Sequence, residues 1–160
     1  MAKQETMSQE EVRQLLGRQR EPCAVMSVDR GEIKADYKTL LLSEAFPIKL
    51  LNGNNGQTKH WSTANKFRKQ YESEILAMGT YRKPFDVRVR IRITRILGKG
   101  ERMWDEDSIG RGSAKQFIDA MVACGFFHDD GPKWIAGVEY RQSDGSRANG
   151  PCIILDVFSA

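Results

Sequence analysis

The clearest hydrophobic pattern in the chain lies between positions 85 and 94, in the sequence FDVRVRIRIT. Apolar residues occupy every second position there, and arginine occupies most of the positions between them. Such a period of two is typical of a β-strand with one apolar face and one polar face. The pattern therefore predicts a half-buried strand with arginines on its exposed face.

Two segments instead show the spacing of amphipathic helices. One runs from about Ser62 to Met78 and is followed by Gly79. The other runs from Ser113, a residue type favoured at helix N-termini, to Cys124, and is followed by Gly125. Its apolar residues recur three and four positions apart, and a glycine after the last turn accommodates the left-handed backbone that often ends a helix.

Shorter apolar runs predict further strands within 39–51, 134–141 and 152–158, and the glycines at 98 and 112 bound a predicted loop. These elements predict an α+β (mixed α/β) fold, a single small domain with a mixed β-sheet flanked by helices. We assign this domain to residues 39–160. Residues 1–38 form an N-terminal extension with a short helix predicted at 8–18 from a capping-box pattern.

Length and composition agree with one folded domain. The chain has 160 residues, of which 40% are hydrophobic and 29% charged, so it can bury a core. No apolar stretch approaches the ~20 residues of a membrane-spanning helix, and the first residues lack the apolar segment of a signal peptide. We therefore expect a cytoplasmic protein that does not contact membranes, with three cysteines as buried thiols.

Charge is distributed unevenly around a net value of +4. Residues 39–104 contain 13 basic and 5 acidic side chains, whereas residues 105–160 contain 5 basic and 9 acidic ones. A basic middle indicates an anionic partner, most commonly nucleic acid. An acidic C-terminal third contacts phosphate only if a cation lies between, and a divalent metal ion would be such a mediator.

Two pairs of aspartates make that metal ion plausible. Asp105 and Asp107 are two positions apart, so in an extended segment both carboxylates point to the same side, and Asp129 and Asp130 lie at the far end of the predicted helix. Carboxylates are ligands that Mg²⁺ prefers, and metal-dependent hydrolysis of phosphodiesters uses such clusters. The alternative is that both pairs are solvated turn residues.

Lys115 and Asp119 are four positions apart on the same predicted helix. One interpretation is an ordinary surface ion pair. The other is that Lys115 offers a positive charge to the phosphoryl group during phosphoryl transfer.

In order and spacing these residues resemble the core of the RusA-type Holliday junction resolvases, usually phage or prophage proteins. That core reads D-x-D-N, then K-x-x-x-D-A-L, then G-x-x-x-D-D, and the chain carries DED, KQFIDAM and GFFHDD in the same order. The resemblance covers roughly residues 40–158. Two departures are four extra residues at 109–112 and Ser108 where the family usually has Asn.

The resemblance implies a Mg²⁺-dependent endodeoxyribonuclease, with Mn²⁺ as an alternative ion, that acts as a homodimer on four-way or branched DNA. It implies Asp105, Asp107 and Asp130 as catalytic metal-binding carboxylates, Asp129 as a supporting metal ligand and Lys115 as the catalytic cation. A symmetric dimer has a physical reason, because resolving a junction requires two cuts related by a two-fold axis.

Basic side chains in the middle of the chain are the candidates for contacts to DNA phosphates, which dominate affinity for DNA. They are Lys59, His60, Lys66, Arg68, Lys69, Arg88, Arg90, Arg92 and Arg111. Three alternatives stay open: a branched-DNA-binding protein that has lost catalysis, a metal nuclease acting on other branched or linear nucleic acid, and a protein in which every aspartate is structural.

Overall fold

The computed structural model describes residues 39–52, 61–79, 83–110, 112–145 and 147–160, without the side chains of Trp61, Glu106 and Asp107. Its strands are β1 (Leu40–Phe46), β2 (Val89–Ile96), β3 (Ile135–Ser143) and β4 (Cys152–Ser159). Its helices are α1 (Trp61–Ala77), α2 (Glu106–Gly110) and α3 (Ala114–Ala123). The helix predicted at 8–18 lies outside the described residues.

The four strands form one mixed sheet in the order β1-β4-β2-β3. β4 is antiparallel to both of its neighbours, whereas β2 and β3 are parallel. The parallel pair needs a crossover, which the chain makes through α2 and α3. This arrangement confirms the predicted α+β fold with a mixed sheet and helices. No helix in the described ranges is long and apolar enough to cross a membrane.

The main core lies between one face of the sheet and helices α1 and α3. Phe117 of α3 packs edge-to-face against Phe46 of β1 and Tyr71 of α1, with ring centroids 5.7 and 6.3 Å apart. Such aromatic contacts add to the burial of apolar area in stabilising the fold. Cys124 and Cys152 are buried free thiols, as predicted for these two.

The predicted boundaries of α3 are confirmed, but Ser113 does not cap it in the expected way. Its hydroxyl makes no hydrogen bond to the first turn of the helix. It accepts hydrogen bonds from the backbone N–H of Leu51 (2.7 Å) and from the hydroxyl of Tyr71 (2.8 Å). Ser113 therefore joins the start of α3 to α1 and to the segment after β1. Gly125 has the predicted left-handed backbone, with φ +82°.

The expectation of a half-buried β2 with an exposed arginine face is wrong. β2 lies inside the sheet, and six of its last seven residues are buried. Arg92 is 2% exposed, and its Nε donates to Glu139 of β3 over 3.1 Å. Asp156 of β4 lies opposite Arg92 in the register and is also buried. Charged residues on this face therefore serve contacts within the sheet.

The predicted loop between Gly98 and Gly112 is also only partly correct, because residues 106–110 form the short helix α2. Ile109 of this helix is buried in the main core. Gly110 packs closely on β3, since a Cβ added there would lie 2.9 Å from Cε2 of Tyr140. Of the four residues that depart from the family pattern, Ile109 is therefore part of the main core, and Gly110 is half-buried against β3.

Candidate active site

Lys115 lies in the first turn of α3 and joins two of the acidic positions identified in the sequence. Its Nζ donates to Oδ2 of Asp130 over 2.7 Å and to Oδ1 of Asp119 over 3.0 Å. The Asp119 contact is an i,i+4 ion pair, which is the contact that one of the two interpretations of the sequence expected. The Asp130 contact spans 15 positions, so it depends on the path of the chain after the helix.

That path is set by the turn that ends α3. Gly125 donates its N–H to the carbonyl of Val122, and Phe126 donates to the carbonyl of Met121. The backbone then runs back along the helix, and Phe126 and Phe127 bury their rings in the core. Asp130 therefore returns to the N-terminal end of α3, where Lys115 is found.

The ion pair between Lys115 and Asp130 favours the charged form of both side chains. The hydrogen bonds from Lys115 to Asp130 and then to Asp119 raise the pKa of the Lys115 ammonium. The hydrogen bond from Lys115 lowers the pKa of the Asp130 carboxyl. Both side chains remain accessible, at 61% and 39% exposure, so solvent screens the pair and its contribution to stability is small.

Asp105 comes immediately before α2 and is exposed. Its carbonyl accepts a hydrogen bond from the backbone N–H of Ser108 (2.8 Å), so Asp105 begins the helical turn. The expectation that residues 105–107 are extended, with both carboxylates on one side, is therefore wrong. Asp107 lies within α2, and its side chain is outside the described part of the structure.

Tyr140 of β3 connects the α2 region to Lys115. Gly110, the last residue of α2, packs against its ring. Burial raises the pKa of the Tyr140 hydroxyl, and the nearby positive charge of Lys115 acts in the opposite direction. Because α2 contacts both β3 and α3, the segment carrying Asp105 and Asp107 lies beside the helix that carries Lys115.

A group of residues that sequence reasoning missed holds the loop before Asp105. Arg95 donates to Gln142, to the carboxylate of Glu101 and to the carbonyl of Arg102. Its guanidinium lies 3.7 Å from the ring centre of Trp104, and Trp104 packs against the main core. One signal was available in the sequence: Arg95 continues the apolar face of β2 after Ile91 and Ile93, where an arginine requires buried partners.

The candidate DNA-binding residues differ in how exposed they are and in whether they have acidic partners. Lys66 and Lys69 are exposed on α1, and Arg88 is exposed just before β2. Arg68 pairs with Glu72, and Arg90 is half-buried. Arg92 does not suit phosphate contact, because it is buried against Glu139. Lys59, His60 and Arg111 lie outside the described residues.

The donor chemistry of the site suits Mg²⁺. Asp105, Asp129 and Asp130 are exposed carboxylates, and exposed carboxylates leave room for the waters that Mg²⁺ retains. Among the described side chains, which exclude that of Asp107, no three His, Cys, Asp or Glu residues are close enough together to hold a metal ion. The side chains of Glu106 and Asp107, the second of which the resemblance assigns to the metal site, lie outside this comparison.

Comparison with protein-family profiles gave no match, and no curated protein is significantly similar to the chain. The family resemblance therefore depends on the ordered motif residues themselves.

Proposed function

We propose that this protein is a Mg²⁺-dependent endonuclease that resolves four-way DNA junctions by paired nicks, acting as a homodimer in the cytoplasm of a bacterial cell or phage-infected host. The observation that carries the proposal is the contact of Lys115 with Asp119 and Asp130. Three charged positions of the ordered motif meet there, although the sequence separates the first and last of them by 15 positions.

Lys115 has the properties of a group that binds a phosphate. An ammonium has three N–H donors, and the described contacts use two of them, so one remains for a non-bridging phosphate oxygen. Its raised pKa keeps it protonated at neutral pH. A fixed positive charge at this point stabilises the negative charge that develops on the phosphoryl oxygens.

The surrounding carboxylates explain why a divalent cation belongs to the proposal. Asp119 and Asp130 bring two negative charges to the single ammonium of Lys115, and Asp129 adds another next to them. Without further positive charge these groups repel a DNA phosphate. Asp105, Asp107 and Asp130, supported by Asp129, would hold Mg²⁺. When bound, Mg²⁺ polarises a phosphoryl oxygen and lowers the pKa of a water.

The rest of the described surface supports DNA as the substrate. The exposed basic residues Lys66, Lys69 and Arg88 offer contacts to the phosphate backbone, which supply most of the affinity for DNA. A junction is cut on opposing strands, so two copies of the site related by a two-fold axis suit it.

The test is nicking of a labelled synthetic four-way junction and of a linear duplex of the same sequence, in Mg²⁺ and in Mn²⁺. Lys115→Met and Asp130→Asn are the variants. Asp144→Asn is the matched control, because it makes the same change at an exposed carboxylate outside the motif. We expect paired nicks of the junction by the wild type and the control, and nicking that is ~100-fold or more slower for both site variants, with junction binding retained.

Three results would contradict the proposal in different ways. A wild type that binds the junction and leaves it whole in both metals is a branched-DNA-binding protein. Equal cutting of junction and duplex indicates a nuclease of broader substrate range. Unchanged nicking by Lys115→Met and Asp130→Asn excludes this site as the centre of catalysis.

A further inference from the structure

The loop that leads to Asp105 is held from the inside by a buried arginine. The side chain of Arg95 is 3% exposed, although it lies on the apolar face of β2. One of its terminal nitrogens, Nη1, donates to the carbonyl of Arg102 (3.2 Å) and to Oε1 of Gln142 (3.1 Å). The other, Nη2, donates to Oε2 of Glu101 (2.8 Å). A planar guanidinium satisfies such a set of acceptors in a fixed geometry, which an ammonium does not.

Arg95 also determines which way the amide of Gln142 is turned. An arginine has only donors, so the oxygen of the amide must face it. The same oxygen accepts from the backbone N–H of Trp104 (2.9 Å), and the amide nitrogen donates to the carbonyl of Trp104 (2.7 Å). Gln142 therefore holds both backbone polar groups of residue 104, as a neighbouring strand would.

The side chain of Trp104 is held as well, since its ring lies under the guanidinium of Arg95 at 3.7 Å. The next residue is Asp105, which starts α2 through its carbonyl. The backbone on one side of Asp105 is thus fixed by Arg95 and Gln142, and the backbone on its other side by the helical turn. Its carboxylate is nevertheless exposed.

We propose that Arg95 and Gln142 are positioning residues for Asp105: they fix the backbone of residue 104 so that the Asp105 carboxylate is aimed before a metal ion arrives. This inference rests on the proposed function. Its physical basis is that groups holding a metal ligand in place are part of the metal site, and their loss commonly weakens metal affinity or activity ~10- to 100-fold.

A purely structural role would affect only stability, and the loop contains a second anchor that provides the comparison. Arg147 donates from Nη1 to the carbonyls of Gly98 (3.2 Å) and Glu101 (2.6 Å). It holds the same loop through the same chemistry, but its described contacts with the loop are to residues 98 and 101 and none is to residue 104. Weakening this anchor should loosen the loop without displacing residue 104.

The experiment measures the Kd of Mn²⁺ by electron paramagnetic resonance without DNA, together with the Tm of each protein. Gln142→Leu removes both hydrogen bonds to Trp104, and Gln142→Asn keeps the amide but retracts it by one methylene group. Arg147→Lys is the matched control. We expect Mn²⁺ to bind ~10-fold or more weakly to Gln142→Leu and about as weakly to Gln142→Asn. The Kd of Mn²⁺ for Arg147→Lys should stay within twofold of the wild-type value, even if its Tm falls as far as the Tm of the Gln142 variants.

If Gln142→Leu does not fold, Gln142→Asn decides the question, because it changes only the reach of the amide. Wild-type affinity for Mn²⁺ in the folded Gln142 variants overturns the positioning role while leaving the proposed function intact. Equal weakening in Arg147→Lys overturns it too, since the effect is then one of general loop stability. A wild type that does not bind Mn²⁺ overturns both proposals.

Discussion

Replacing Glu101 by glutamine is predicted to destabilise the protein at neutral pH and much less in acid. Glu101 is 12% exposed and accepts three hydrogen bonds. Its Oε2 accepts from Nη2 of Arg95 (2.8 Å) and from the backbone N–H of Gly98 (3.1 Å), and its Oε1 accepts from Nζ of Lys49 (2.7 Å). Two of these donors are positively charged, so the carboxylate is favoured in its ionised form.

The magnitude follows from what glutamine keeps and loses. Its single carbonyl oxygen still serves Arg95 and Gly98, but a hydrogen bond to a charged acceptor becomes one to a neutral acceptor, which costs about 1 kcal/mol. The NH₂ group of the glutamine then faces the ammonium of Lys49, so the ion pair with Lys49 is lost. Lys49 is 57% exposed, so this loss adds less than about 1 kcal/mol. We expect the free energy of unfolding to fall by about 1.5 kcal/mol at pH 7.

The dependence on pH follows from the direction of the pKa shift. Burial alone would raise the pKa of the Glu101 carboxyl, but the hydrogen bonds from Lys49 and Gly98 and the charge of Arg95 outweigh burial and hold it below its ordinary value of 4.5. A carboxyl with a lowered pKa stabilises the folded state above the pKa of the unfolded chain, and this stabilisation is lost as the pH falls through the folded value. Protonated glutamate resembles glutamine, so the difference between wild type and variant should begin to shrink below about pH 4.5.

The assay is urea unfolding of wild type and Glu101→Gln at pH 7, 5, 4 and 3. Glu74→Gln is the control, because Glu74 is a carboxylate whose hydrogen bond to Gln70 is exposed; its effect should stay within about 0.5 kcal/mol at every pH. A destabilisation by Glu101→Gln that is the same at pH 7 and pH 3 would refute the reasoning, since it would show that the effect does not come from the charge.

Two further predictions concern α2 and the DNA contacts. Gly110→Ala places a methyl group against the ring of Tyr140 and should lower the free energy of unfolding by about 1–3 kcal/mol. Urea unfolding should show a smaller loss when Tyr140→Leu is also present. An equal loss with and without Tyr140→Leu would contradict the packing of Gly110 on Tyr140. Lys66→Gln combined with Lys69→Gln should reduce the slope of log Kd for a DNA junction against log salt concentration by about 2, because each lost phosphate contact removes about 0.9. Arg92→Gln should leave that slope unchanged in fluorescence-anisotropy titrations, and a reduced slope would mean that this buried arginine reaches DNA.

The elements that the sequence predicted well are those whose signals are local. The apolar stripe of α3, including Phe117, and the glycine at 125 specify a helix and its end without reference to the rest of the chain. The short helix α2 was missed because five residues are too few to show a helical period. Its stability comes from burial of Ile109 and from packing on β3, and both depend on residues far away in the sequence.

The start of β2 shows why alternation alone does not define a strand. The alternating pattern begins at Phe85, but pairing with β3 and β4 begins at Val89, opposite Ile135 and Ser159. Phe85 still contributes to the core by packing on Phe127, with ring centroids 6.1 Å apart, whereas Val87 is 52% exposed. Alternation reports which face of the backbone a side chain occupies, and hydrogen-bonded partners decide where the strand begins.

The candidate site has two halves, one formed by Lys115, Asp119 and Asp130 and the other by Asp105. The sequence predicts the first half better than the second because different interactions hold them in place. Lys115 and Asp119 meet through the register of one helix, and a tight glycine turn returns the chain so that Asp130 reaches Lys115. Both contacts of Lys115 join residues within one short segment of the chain, so the spacing of the motif in the sequence is enough to predict them.

Asp105 depends instead on the pairing of β2 with β3, which places Gln142 beside Arg95 from 47 positions away. No local pattern reveals that pairing, so an arginine on the apolar face of β2 indicates that buried partners are needed, but the sequence does not identify Gln142 as one of them. The same reasoning indicates where variants should separate the two halves. Changes at Gln142 should affect metal binding through Asp105 and leave the contact between Lys115 and Asp130 intact, because no described contact of Gln142 involves α3.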